Sequence, residues 1–255
     1  MTSVIVKRRK EAAVLMINRP EQRNAINYDV MDNLMDAIRT AEEDERVNYI
    51  ILTGSGEKAF CSGGDLAAFQ DLHTKQQAYP MLRKMGNVLD QLFFCKKPTI
   101  ALLNGHAVGG GSELAIACDY RIARSGIQVG FIQGSIGLTT GWGGATYALT
   151  RMDTGKALQM LMSADRYSAE AAAENGYLTY ITKETNWQDA AYEYAEKLLK
   201  RSPLILSSYK KYWLSSLDGV DIRKRVENEI SNCATLWATD EHHQAVEAFL
   251  SKTNR

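Results

Sequence analysis

Apolar and polar positions along the chain follow two rhythms that keep changing places. Apolar segments at residues 3–7 and 13–18 flank a charged turn at residues 8–11, which predicts a hairpin. After Arg19-Pro20 the period lengthens. Val30, Met31, Leu34, Ala37, Ile38 and Ala41 recur at helical spacing across residues 28–43, with Asn27 placed to cap the helix start. Residues 49–53 form a continuous apolar run ending at Gly54, the pattern of a buried parallel strand. A helix over residues 77–93, a strand over 98–103, a helix opened by a glycine run at 110–117 and a short strand at 119–123 continue the alternation. Strands alternating with helices predict a layered α/β core with parallel crossovers.

Beyond Gly141 the pattern turns helical. Residues 153–162, 168–175, 187–199, 204–217, 221–238 and 241–250 all carry helical periodicity, and Gly176 fits the position just past a helix end. No low-complexity linker and no internal repeat breaks the chain. We therefore expect a core at residues 1–200 and a C-terminal helical region at 201–255, packed against one another.

Composition narrows the partners. The 255 residues are 45% hydrophobic and 24% charged, with Lys plus Arg equal to Asp plus Glu at 30 each. That balance gives no general attraction to nucleic acid or to an anionic membrane, so phosphate binding has to be local. No apolar run approaches the roughly 20 residues that span a bilayer, and residues 1–11 lack the apolar stretch of a signal peptide. Cys61, Cys95, Cys118 and Cys233 have neither metal-ligand nor dense disulfide spacing. Buried free thiols in a cytoplasmic protein are expected. The sequence offers no cluster of metal ligands.

Two glycine-rich turns carry the candidate chemistry. AFCSGGDL (residues 59–66) follows the strand at 49–53, and NGHAVGGGSEL (104–114) follows the strand at 98–103. Both lie past strand carboxyl ends, where open α/β sheets place ligands. Glycine lets backbone amides approach a ligand with no Cβ in the way, and the second turn adds the positive end of a helix. Side by side, two such turns can aim two N–H groups at one oxygen and so stabilise a thioester enolate. Each alone also fits tight strand–helix packing. Neither is a Walker loop, because no Gly-Lys-Ser/Thr follows.

At these residues the chain resembles the enoyl-CoA hydratase/isomerase (crotonase) family over nearly its whole length. INRPEQRNAIN (17–27) is similar to the family's first motif, ILTGSGEKAFCSGGDL (51–66) to its first oxyanion turn, and NGHAVGGGSELAIACD (104–119) to its second. The resemblance implies a spiral of ββα units with C-terminal helices that build homotrimers, often paired into hexamers. It implies oxyanion amides at Gly64 and Gly110. It also implies an acyl-CoA substrate, with coenzyme A entering as part of that substrate and no tightly bound cofactor. Backbone around Ser62, Gly64 and Leu66 then contacts the coenzyme A moiety. Phe249 and Lys252 match C-terminal positions that reach a neighbouring subunit's ligand, although Lys252 also reads as a solvated terminal lysine.

Family hydratases use two glutamates. The first falls on Glu113, which also suits a helix N-terminus on its own. The second falls on Gln133, in VGFIQGSIGL (129–138). An amide can orient water or a thioester but cannot donate and recover a proton. Efficient two-glutamate hydration is therefore not expected. GLTTGWGG (137–144), with CDYR (118–121), resembles the branch that decarboxylates ethylmalonyl- or methylmalonyl-CoA, which also lacks the second glutamate. Losing CO₂ forms the enolate directly. In that reading Gly141 aims a helix start, from Trp142 onward, at the acyl group, and Trp142 reads either as a pocket wall or as a core aromatic. The alternatives are thus a hydratase-like lyase altered at Gln133, a decarboxylase, or a non-catalytic coenzyme-A-binding scaffold. Asp65 is expected to cap a helix, His106 to be structural, and His242 and His243 to be solvated.

Overall fold

A computed structural model describes residues 2–253, with the side chains at 249, 250, 252 and 253 outside that description. Among the described residues ten strands form two sheets. They are β1 (Val4–Arg9), β2 (Ala12–Ile17), β3 (Tyr49–Gly54), β4 (Ala59–Cys61), β5 (Thr99–Leu103), β6 (His106–Val108), β7 (Tyr120–Arg124), β8 (Gln128–Gly130), β9 (Tyr167–Ser168) and β10 (Tyr180–Thr182). The larger sheet runs β1-β2-β3-β5-β7-β10, the smaller β4-β6-β8-β9. β2, β3, β5, β7 and β10 are mutually parallel, and so are β4, β6 and β8.

Eleven helices complete the described residues. They are α1 (Tyr28–Glu43), α2 (Leu66–Phe69), α3 (Lys75–Phe93), α4 (Gly110–Ala117), α5 (Gly144–Arg151), α6 (Thr154–Ser163), α7 (Ala169–Glu174), α8 (Trp187–Leu198), α9 (Pro203–Ser215), α10 (Ile222–Trp237) and α11 (Asp240–Thr253). The order β3-β4-α2-α3, β5-β6-α4, β7-β8-α5 is one unit repeated three times. The first strand of each pair joins the large sheet and the second joins the small one. This is the expected spiral of ββα turns. The chain does repeat in space, although its sequence shows no repeat.

The apolar runs account for the layers. In the large sheet Leu15, Ile50, Leu52, Ala101 and Leu103 face the main core, while Val14, Ile51, Ile100, Leu102 and Ile122 pack on the other side against Ala191, Tyr192 and Ala195 of α8. A strand buried on both faces has no polar alternation to show. Local chemistry sets several boundaries away from their expected places. α3 starts two residues early because Thr74 and Gln77 form a capping box. The hairpin turn shrinks to Lys10 and Glu11, since Arg8 and Arg9 stay in the exposed edge strand opposite Ala13 and Ala12. Asn27 caps α1 through Val30 N, Asp65 caps α2 through Ala68 N, and Gly176 is left-handed with φ 75°.

The C-terminal helices help to close the core, with α10 lying along α3 and against α5. No helix among the described residues is long and apolar enough to cross a membrane.

Candidate active site

The loop before α1 braces the first glycine turn. Arg19 pairs with Asp65 at 2.8 Å and donates to Ala25 O, while Ile26 exchanges backbone hydrogen bonds with Gly63 and Asp65. Two buried asparagines hold the approach to that turn. Asn24 donates to Ser55 O and Ala59 O, and Asn104 donates to Gly56 O and Ala59 O while accepting from Gly54 N. Asn24 takes a φ of 56°, a left-handed conformation that asparagine tolerates better than most residues. The sequence reading left these two without a role, although both lie inside the quoted motifs.

The two glycine turns touch. A Cβ on Gly63, whose φ is 99°, would sit 3.0 Å from Gly110 N, and one on Gly111 would sit 2.0 Å from Cys61 O. The N–H groups of Gly64 and Gly110 donate to no acceptor among the described residues. Both line a cavity of about 200 Å³ whose walls also include Leu66, Phe69, Leu82, Ile136, Trp142 and Trp237. Trp142 lies across Gly110 so closely that a Cβ there would be 2.1 Å from its ring. It is a packed aromatic and a cavity wall at once.

Glu113 lines this cavity and is 2% exposed. Four N–H groups converge on its carboxyl. Gln133 Nε2 (2.7 Å) and Gly141 N (3.3 Å) donate to Oε1, and Trp142 N (2.8 Å) and Gly144 N (3.0 Å) donate to Oε2. Burial, and next the nearby Glu229 carboxyl, push Glu113 up to about 8, against the opposing pull of the amides of Trp142, Gly144 and Gly141. A carboxyl poised there can gain and lose a proton near neutral pH. Gln133 Oε1 is buried in the wall with no partner among the described residues.

This arrangement corrects the role expected of Gly141. The amides from Gly141 and Trp142 onward are taken by carboxyl side chains rather than left for an acyl group. Gly141, Trp142 and Gly144 donate to Glu113, and Ala145 and Thr146 donate to Glu229. Ser62 also lines the cavity, but its amide donates to Arg23 O, so its carbonyl and hydroxyl are what it can offer a ligand. Leu66 lines this cavity and an adjoining one bounded by His73, His242 and His243. The side chains of Phe249 and Lys252 lie outside the described residues.

His106 is structural as expected, accepting from Gln128 N through Nδ1. His242 is buried rather than solvated, and His243 is half-buried. α11 folds back over Trp237, which buries His242 with its Nδ1 2.8 Å from Ile136 O and sets His243 edge-on to His73. The residues 118–121 lie away from the cavity. Asp119 is buried between Arg151 and Lys210, and Arg121 donates to Tyr177 O and Cys118 O. All four cysteines are free and buried, and burial pushes the Cys61, Cys95 and Cys118 thiols up to about 12. Glu229 was missed. It follows the apolar positions Ile222 and Val226 on one face of α10 and precedes Cys233, and a carboxylate in an apolar stripe was the available signal.

Comparison with known proteins decides the family. The profile described as Enoyl-CoA hydratase/isomerase matches residues 7–255. The chain belongs to the enoyl-CoA hydratase/isomerase family. It is 31% identical to a crotonyl-CoA hydratase of Syntrophomonas wolfei over 98% of this chain and 95% of the relative. It is 30% identical to a short-chain-enoyl-CoA hydratase of Clostridium acetobutylicum, covering 99% and 96%. Among solved structures, a carnitinyl-CoA hydratase from Mycobacterium avium is 29% identical with a TM-score of 0.85, covering 99% of this chain and 97% of that one. These family relatives carry hydratase names, and none of the three is named a decarboxylase.

Proposed function

We propose that this protein is an acyl-CoA lyase that adds water to, or removes it from, a short acyl thioester through an enolate, with Glu113 as its single acid–base group. The observation that carries the reading is the pair of unengaged amides, Gly64 and Gly110, beside a buried carboxyl in one largely apolar cavity. A thioester oxygen between those amides would be stabilised as it gains charge, and losing one such donor costs about 2.7–4 kcal/mol.

In the hydration direction the Glu113 carboxylate takes one proton from water as the water oxygen bonds to Cβ. The π electrons move onto the thioester oxygen as the enolate, and the same carboxyl then returns the proton to Cα. One OH and one H are added, and Glu113 ends as it began. Gln133 holds Glu113 through Nε2 and so orients the carboxyl that the water would meet. Coenzyme A arrives as part of the substrate, and no bound cofactor is required. The apolar residues exposed on α9, including Leu204 and Tyr209, support assembly as a homotrimer or a pair of trimers.

The test is an assay of the purified protein with crotonyl-CoA, a 3-enoyl-CoA, methylmalonyl-CoA and ethylmalonyl-CoA. Reversible hydration of crotonyl-CoA supports the lyase. CO₂ release from the malonyl esters alone would replace it with the decarboxylase, which uses the same amides and needs no water. Ligand binding with no turnover of any substrate would leave a coenzyme-A-binding scaffold.

A further inference from the structure

Glu113 shares the start of α5 with a second carboxyl. Glu229 reaches in from α10 and accepts from Thr140 Oγ1 (2.6 Å) and Ala145 N (3.1 Å) on one oxygen, and from Thr146 N (2.9 Å) and Thr146 Oγ1 (2.7 Å) on the other. Glu113 takes the amides of Trp142 and Gly144, and Glu229 takes those of Ala145 and Thr146. Two carboxyls thus divide the amides of one helix start between them. A helix N-terminus favours negative charge, but it cannot fully compensate two charges held this close, so each opposes ionisation of the other.

Among the described residues neither Glu113 nor Glu229 forms an ion pair: Arg83 on α3 is paired with Asp90 and Glu227, and Arg166 lines the cavity without pairing with either carboxyl. Two further ionisable groups beside the pair are neutral at physiological pH. Cys233 on α10 is pushed up by burial and by both carboxyls, and Tyr147 on α5 is pushed well up by burial and by Asp90 of α3, to which its hydroxyl donates. Glu229 is itself raised, first by burial, and the hydroxyls and amides around it pull the other way.

We propose that Glu229 is a positioning residue that fixes the α5 start as the platform for Glu113 and, through its charge, sets the pH at which Glu113 exchanges its proton. It touches none of the cavity residues named above and acts through the helix start whose other amides hold Glu113. The idea rests on the acid–base reading of Glu113, so its test must work without turnover.

The experiment is carboxyl NMR of the full chain labelled with ¹³C-glutamate, with Glu113 assigned by the signal lost in Glu113→Gln. In the parent protein the Glu113 and Glu229 signals should each report both steps of a coupled titration. In Glu229→Gln the Glu113 signal should titrate at lower pH, and the pH inflection of kcat/KM should move down with it. Glu229→Ala, which also frees the α5 start, should lower kcat about 100-fold, the scale of a small misplacement of a reacting group, and Glu229→Gln should recover part of that loss. Independent single-step titrations in the parent, or a Glu113 signal unmoved in Glu229→Gln, would overturn the proposal. The parent measurement stands even where the variants fold poorly. Full turnover in Glu113→Gln would instead remove the acid–base reading and leave the electrostatic coupling intact.

Discussion

Four N–H donors hold the Glu113 carboxyl in place, while burial and the neighbouring Glu229 make it reluctant to ionise. Glu113→Gln should lower hydration of crotonyl-CoA by about 100-fold or more, the usual contribution of a general acid–base group, while affinity for a substrate analogue stays near the parent's. Hydration begins from the carboxylate, so kcat/KM should rise with pH and level off above about pH 8. Stability should change in the opposite sense. The folded protein keeps a proton up to about 8 that the unfolded chain releases near the ordinary value of 4.5, so this contribution is complete below 4.5 and is lost as pH rises through 8. Urea denaturation from pH 5 to pH 8 should show falling stability, with a flatter profile in Glu113→Gln. At Gln133, the variant Gln133→Glu should raise crotonyl-CoA hydration by supplying a second proton donor; a folded variant with no gain would remove this position from the proton path. Glu113, Gly64 and Gly110 were legible in sequence because each lies inside a local motif. Glu229 was not, because its partners lie more than eighty residues earlier in the chain and only the packing of α10 brings them to it.

The glycine turns work because backbone and side chains occupy the space a Cβ would need. Gly110→Ala would drive a methyl group into the Trp142 ring and displace the very amide offered to the thioester. We expect kcat to fall by about 10²–10³-fold, together with a loss of thermal stability. Asn104→Ala removes the side-chain partner of Gly54 N and of Gly56 O, while Ala59 O keeps its bond from Asn24. Each buried polar group left alone costs about 1–3 kcal/mol, and calorimetry should record a clear drop in melting temperature. The long elements were legible from their periodicity. β4, β6 and β8 were not, because each is only three residues long, too short for alternation to appear. Pairing with one another, rather than any local preference, makes them strands.

Across the whole molecule, three ββα turns deliver the amide pair and Glu113 to one cavity, and α10 closes that cavity with Cys233 and Trp237. On α9, Leu204 is 76% exposed and Tyr209 70% exposed, an apolar face that a monomer would leave in water. Light scattering should give a mass that is three or six times 28.4 kDa, and Leu204→Glu with Tyr209→Glu should shift it toward one chain. The class of fold followed from the alternation of runs. The depth of the site did not, because it depends on which turns meet in space. The most direct test of the account is a crystal structure with a non-hydrolysable acyl-CoA analogue. The account predicts the carbonyl oxygen about 3 Å from both Gly64 N and Gly110 N, with Glu113 beside Cα. An analogue whose carbonyl sits away from either nitrogen would contradict it.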